Sequence, residues 1–433
     1  MTRSIFDGGR KKRGITRVDL AYAEPASSEN VRNANRDMLL EIIRSQQPIS
    51  RADLARSSGL RPSTVSAIVE QLIDERWVTE GTVARTPRGR RPTMLTMNDK
   101  LVILVADLRP GHAILAVVDL NGRFHARESI PLPVDAERAS IKMAVAMQAM
   151  RERHPEKTFE GVGVSVPGRV DPETQRILLA PNLHWSGFDL KKTLADHLDL
   201  QVEMDNDANA CLVSELWFGH MNGIRNAVLV AISEGLGSAI LANGQILVGR
   251  SGMAGEFGHI PIDPAGPLCG CGQRGCWEMF ASSAAALRYY AELHPTTPAA
   301  RIQDLLKLAE EGDSNAICAF ERQATALGRG LRLVTAALSP EMIIVIGDIT
   351  ALWGRLAPIV EKETASLMLA GTAPQIFAAS DGELARLRGA AALVLQRHTG
   401  HPRPGPERGE QIRRLDGDAK WRQVGASARS AAE

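Results

Sequence analysis

Long apolar runs are missing from this 433-residue sequence. None would span a bilayer, which excludes an integral helical membrane protein. The basic N-terminus has no apolar segment behind it and does not read as a secretory signal. Cysteine is scarce, five in all, and three of the five are clustered. That usage excludes a disulfide framework and implies a reducing cytoplasm. Internal repeats strong enough to organise the chain are also lacking. Net charge is only +1, but it conceals an asymmetry. Residues 1–98 hold 17 Lys and Arg against 11 Asp and Glu; the remainder holds 34 against 39. A basic front on an acidic body predicts nucleic-acid contact at the front.

What is present centres on Ser251–Glu278, SGMAGEFGHIPIDPAGPLCGCGQRGCWE. His259, Cys269, Cys271 and Cys276 form the ligand set of a closed tetrahedral zinc site, and the interleaved glycines allow the loop to fold back on one ion. Structural Zn2+ is therefore the expected cofactor. Cys211 and Cys318, isolated in helix-like sequence, are expected in the core. Glu256 and Glu278 add two carboxylates to the loop, a setting suited to a polyhydroxylated ligand.

The front end reads as a winged helix-turn-helix. Met38, Leu39, Ile42 and Ile43 recur at helical spacing. Ser50 and Asp53 resemble a capping box opening a second helix. Gly59 supplies a tight turn, and Pro62 suits the first position of a third helix that buries Val65, Ile68, Val69 and Leu72. The opposite face of that helix begins with Arg61, Ser63, Thr64 and Ser66, small or basic groups suited to a major groove. The Arg85–Pro92 segment, with Arg88, Arg90 and Arg91, reads as the basic tip of a wing. Arg10-Lys11-Lys12-Arg13 lies in an arm expected to be disordered and to attract phosphate.

Gly-Glu-Phe-Gly-His at 255–259, with the cysteine pattern through Glu278, resembles the signature of the ROK family (repressors, open reading frames, kinases). The resemblance runs over about Val31 to Arg397. It implies an α/β protein: an N-terminal winged helix-turn-helix, then a two-lobed ribonuclease-H-like sugar-binding domain of the actin and hexokinase superfamily. The division it suggests is 1–29 basic arm, 30–97 DNA-binding domain, 98–222 first lobe, 223–397 second lobe with the metal loop and a closing helix returning to the first lobe, and 398–433 disordered tail. The family pattern further implies sugar contacts at Asn182, Asn206, Asp207, Glu256, His259 and Glu278. Asp207 holds the position of the kinase general base.

Three segments depart from the family's kinases. The first phosphate loop is Asp107-Leu-Arg-Pro-Gly-His112, where Pro110 removes a donor. The second, 233–239, places Glu234 where phosphates would lie. The third, 347–349, keeps one glycine followed by Asp348. The expectation is a sugar-responsive regulator of the xylose-repressor-like and N-acetylglucosamine-repressor-like branch. It would be a homodimer or dimer of dimers, a repressor of carbohydrate uptake or catabolism genes bound to operator DNA and released by a monosaccharide or sugar derivative, with no membrane partner and with kinase activity lost; gating by a protein partner stays open. The alternative is an active or bifunctional sugar kinase using Asp207 as base.

Overall fold

The computed structural model describes residues 28–83, 92–219, 221, 223–295, 299, 301–366, 373–379 and 382–398. Residues 1–27 of the basic arm, the tip carrying Arg88, Arg90 and Arg91, and residues 399–433 lie outside the described residues, and the last two positions of the arm open the first helix.

The front domain is α1 (Ser28–Gln46), β1 (Ile49–Ser50), α2 (Arg51–Ser58), α3 (Pro62–Asp74), β2 (Val78–Val83) and β3 (Thr93–Met97), with strand order β1-β3-β2. Its local signals act as the sequence anticipates. Ser50 caps α2 by accepting the Asp53 amide, while its hydroxyl donates to the Asp53 carboxylate at 2.6 Å. Gly59 takes the left-handed conformation at φ 71, and Pro62 opens α3. Helix α3 buries Val65, Ile68, Val69 and Leu72. Met38 departs from expectation: it is 36% exposed, whereas Arg36, one helical face away, is buried.

The body begins with β4 (Leu101–Arg109), β5 (His112–Asp119), β6 (Phe124–Pro131), α4 (Ala136–Glu152), β7 (Thr158–Val166), β8 (Arg169–Val170), β9 (Ile177–Ala180), β10 (Trp185–Phe188), α5 (Leu190–Leu198), β11 (Val202–Asn206) and α6 (Asp207–Phe218). It continues with β12 (Ala227–Ile232), β13 (Leu236–Ala242), β14 (Gln245–Ile246), α7 (Glu278–Ala281), α8 (Ser283–Leu293), α9 (Ile302–Glu310), α10 (Ser314–Leu338), β15 (Met342–Gly347), α11 (Trp353–Ala365), β16 (Gln375–Ala378) and α12 (Gly382–Gln396). The two five-stranded sheets repeat one plan: β11-β7-β4-β5-β6 and β14-β13-β12-β15-β16. In each, three antiparallel strands from consecutive hairpins are joined to two parallel strands. The lobes are thus related structurally although no repeat is legible in the sequence.

Strand β4 is apolar because both its faces are covered. Leu101, Ile103 and Val105 join the front domain and α12 in one core; Val102, Leu104, Ala106 and Leu108 join α4 and α5 in another. Cys211 is fully buried as expected, while Cys318 is only half-buried. Helix α12 returns to the first lobe and lies close on it. A Cβ on Gly163 would fall 1.9 Å from the Ala390 carbonyl oxygen, and one on Gly389 would fall 2.0 Å from that of Ala210. Only glycine permits these approaches.

Just past α12, His398 packs on the front domain. Its ring lies 5.1 Å from that of Trp77, its Nε2 lies 2.8 Å from Glu160, and its carbonyl accepts from Arg36 at 2.8 Å. This corrects the expectation that the tail begins at 398. The stretch from 398 is polar, but its first residue completes an apolar and ionic seam between α1 and the first lobe.

Candidate functional site

Strands β4, β7 and β11 run parallel, so their carboxyl ends share one edge; Ser165 of β7 pairs with Asp107 on one side and Asp205 on the other. Ligands in α/β folds gather beyond such ends. At this edge Asn206 caps α6, its amide oxygen accepting from Ala208 and Asn209 at 2.8 and 3.1 Å while its nitrogen donates to the Gly168 carbonyl. Capping leaves the Asn206 carboxamide little capacity for a ligand. Asp207, the first residue of α6, accepts the Ala208 amide. Burial pushes its carboxyl above the usual range; Arg386 opposes that rise and Asp107 adds to it.

The segment where a phosphate loop was considered is a tight β-hairpin. Arg109 pairs with His112 across Pro110 and Gly111, and Gly111 has φ 74. Proline followed by left-handed glycine is type II turn chemistry. The β4–β5 ladder runs right up to this two-residue turn, so no extended loop separates the strands. Asp107 beneath the turn is fully buried. Its Oδ2 accepts from Arg109 Nε at 2.8 Å and from Arg386 Nε at 3.2 Å. Burial alone would pull the Arg386 guanidinium below its ordinary value, but Asp107, Cys211 and Asp207 together hold it above.

The second lobe closes its equivalent turn differently. The Ser233 amide donates to the Gly235 carbonyl, and the Leu236 amide donates to Glu278 Oε2 at 3.0 Å. The other oxygen of Glu278 lies 3.5 Å from Cys269 Sγ. Glu278 therefore ties the β12–β13 turn to the cysteine loop.

In that loop the ligand atoms of His259, Cys269, Cys271 and Cys276 all lie within 4.8 Å of one another, a group that can hold a metal ion. Cys269 Sγ is 3.5 Å from His259 Nδ1, and Cys271 Sγ is 3.6 Å from Cys276 Sγ. The second distance is far from a disulfide bond. Burial pushes the Cys269 thiol up to about 12 and raises Cys276, while the Gln273 amide lowers Cys271. Gathered thiols that resist ionisation are ionised readily by a cation, which reverses the local logic. The remaining ring nitrogen of His259 faces Glu256 at 3.7 Å.

The six expected sugar contacts thus fall into groups. Asn206 and Asp207 open α6. Glu256, His259 and Glu278 surround the cysteines. The groups approach each other at β13, where a Cβ on Gly237 would meet Asp207 Oδ1 at 3.9 Å. Asn182 stands exposed on the turn Pro181–Leu183 and, among the described residues, makes no hydrogen bond to the other five. At the front, Arg61, Ser63 and Ser66 are exposed at the start of α3 and Thr64 is half-buried. Sequence reasoning missed Arg109 and Arg386. Arg386 lies 279 positions from Asp107, and no local pattern marks it.

Comparison with known proteins supplies the remaining context. The ROK family model matches residues 110–397, and a winged helix-turn-helix DNA-binding model matches residues 32–79. The chain is 30% identical over 371 residues to the xylose repressor of Bacillus subtilis (strain 168), covering 84% of this chain and 96% of that one. It is 28% identical over 352 residues to the DNA-binding transcriptional dual regulator NagC of Escherichia coli (strain K12), covering 78% and 86%. A solved ROK family transcriptional regulator, a homolog of the E. coli MLC protein, superposes with TM-score 0.70 at 26% identity over 86% of this chain and 99% of that one. A ROK family glucokinase from Streptomyces griseus, solved with glucose and AMPPNP, gives TM-score 0.62 at 29% identity, covering 68% and 99%.

Proposed function

The chain belongs to the ROK family and carries a winged helix-turn-helix of the DNA-binding kind, and from that premise we propose that it is a sugar-responsive transcriptional regulator, a repressor released from its operator by a monosaccharide. The observation that carries the non-enzymatic half of this reading is the β4–β5 hairpin. Phosphoryl transfer depends on positioning and on donors around the moving group. Here the strand amides are paired, Pro110 offers none, and Glu278 takes the amide of Leu236. Asp207 retains the position of a base without the cradle that would give it work; its carboxylate serves to accept a hydroxyl.

The exposed start of α3, with Arg61, Ser63, Thr64 and Ser66, enters a major groove, and a homodimer sets two such helices one turn of DNA apart or a multiple of it. Arg88, Arg90 and Arg91 grip the flanking backbone. The sugar lies between Asp207 and the cysteine loop and acts by binding the two states of the body unequally.

The chemistry of the donor set fits Zn2+. The Cys271–Cys276 sulfur edge, 3.6 Å, approaches the roughly 3.8 Å that two tetrahedral Zn–S bonds of about 2.3 Å require, and the Cys269–His259 edge, 3.5 Å, matches the span of about 3.6 Å set by one Zn–S and one Zn–N bond. The ion would fold the loop, and Glu256 and Glu278 would orient it. Titration of the full-length protein with D-xylose, D-glucose and N-acetyl-D-glucosamine, with and without MgATP, tests the reading by thermal shift, operator release and product analysis. Stabilisation and release by a sugar alone support it. Sugar phosphate formed from ATP overturns it in favour of a kinase.

A further inference from the structure

Helices α6 and α12 run side by side in the same direction. Gly389 lies on Ala210, and one turn on, Ala392 and Leu393 share a core with Val213. One turn back from the first contact, this register brings Arg386 beside Asp207. Arg386 is also held from the other side, by Asp107 of β4. The charged groups that act on Asp207 are therefore Arg386 from α12 and Asp107 from β4; Arg109 pairs with Asp107, and the Cys211 thiol, one turn along α6, feels Arg386, both acids and Glu215. Arg109 touches Asp107 alone, and Arg386, the guanidinium that both carboxylates feel, touches only Asp107 directly. Asp107 uses a single oxygen for both arginines; among the described residues its Oδ1 and Arg109 Nη2 have no hydrogen-bond partner. The cluster is satisfied unevenly, and its charge is free to be redistributed.

We propose that Arg386 is the built-in counter-ion of the effector cleft: a positioning residue shared between Asp107 and Asp207 that holds the Asp207 carboxylate as an ionised acceptor for a sugar hydroxyl. This rests on the sugar-binding reading of the cleft and goes beyond it, by naming the group outside the ligand shell that sets the strength of the contact. A carboxylate accepts a hydroxyl proton more strongly when ionised. Without a cation at the rim, two acids beside one another favour protonation of one of them. Asp107 competes with Asp207 for the same guanidinium, so the two acids have opposite effects on the ligand.

The test is sugar affinity by calorimetry on the full-length protein, with D-xylose, D-glucose and N-acetyl-D-glucosamine as probes. Arg386→Met weakens the sugar that binds by about tenfold, and Arg386→Lys, which keeps the charge but not the fork, recovers part of the loss. Asp107→Asn leaves Arg386 wholly to Asp207 and tightens binding by about threefold. A merely structural cluster would lose affinity in both Arg386→Met and Asp107→Asn. Opposite directions support the proposal; a shared direction, or Arg386→Met within about twofold of wild type, overturns it. If Arg386→Met does not fold by circular dichroism, a loss in Arg386→Lys against a gain in Asp107→Asn decides the same question. A wild type that responds to no sugar overturns the reading of the cleft, and this proposal with it.

Discussion

The β4–β5 turn of the first lobe and the β12–β13 turn of the second occupy equivalent places in two sheets of the same plan. They are closed by opposite means. In the first lobe the strands pair down to a two-residue turn, and a buried acid below it is held by two arginines. In the second the turn keeps a loop, and an acid from α7 takes its amide from outside. One lobe is closed by cations on an anion, the other by an anion on a backbone donor. The first closure is internal to the lobe and its returning helix. The second depends on Glu278 and so on the cysteine loop beside it. Equivalent topology leaves the electrostatics open; side chains arriving from distant elements settle it.

The largest effect should come from breaking the support of the second closure. On the proposed metal reading, Cys276→Ser removes a buried ligand of the loop, and because structural metal binding is folding energy a loss on the order of 5 kcal/mol is expected. Bound metal by elemental analysis and the urea midpoint check it; full stability with full metal content would separate the loop from the metal. Breaking the first closure comes next. Asp107→Ala leaves two guanidinium groups without their shared carboxylate and should cost about 3–5 kcal/mol, read as a lowered unfolding midpoint. Glu278→Ala strips the acceptor from the Leu236 amide and should cost about 1–3 kcal/mol. Hydrogen exchange at Leu236 should accelerate in that variant while the β4–β5 turn stays protected.

The smallest effect is a pH dependence. Burial raises the Asp207 carboxyl, so the folded state holds that proton more tightly than the unfolded chain. Its contribution to stability is present below the unfolded value of about 3.9 and is lost as pH rises through the folded one. Asp207→Asn should therefore gain stability on wild type as pH rises from acid to neutral, while its sugar affinity falls. Urea midpoints at a series of pH values measure the difference; a constant offset would remove the buried charge from the account.

Much of this arrangement was legible before folding. Ser50, Gly59 and Pro62 punctuate the front domain because capping and turn chemistry act within a few residues. His259 and the three cysteines stand out because ligand type and spacing coincide. Met38 misled because helical spacing admits either edge of an apolar stripe, and Arg36 won burial by pairing with Glu75 and lying over Trp77 at 5.7 Å. Asn206 was read as a ligand contact, and its carboxamide is largely committed to the cap of α6. The hairpin at 107–112 was read as a damaged loop; Pro110 and Gly111 carried the turn signal, but the strand pairing that completes it is a property of two segments.

The sequence by itself determined what short-range chemistry controls: helix starts, tight turns, the apolar strands and the closeness of three cysteines in one loop. Only the tertiary structure decided which charges meet. Asp107 and Arg386 are 279 positions apart, Leu236 and Glu278 are 42, and Arg36 and His398 are 362. A charge or a polar hydrogen is indifferent to its partner's sequence position; it answers to burial, which withdraws water and leaves the nearest opposite group as the only compensation. Which group is nearest is fixed by the packing of α12 on α6 and β7, through contacts that Gly163 and Gly389 make possible.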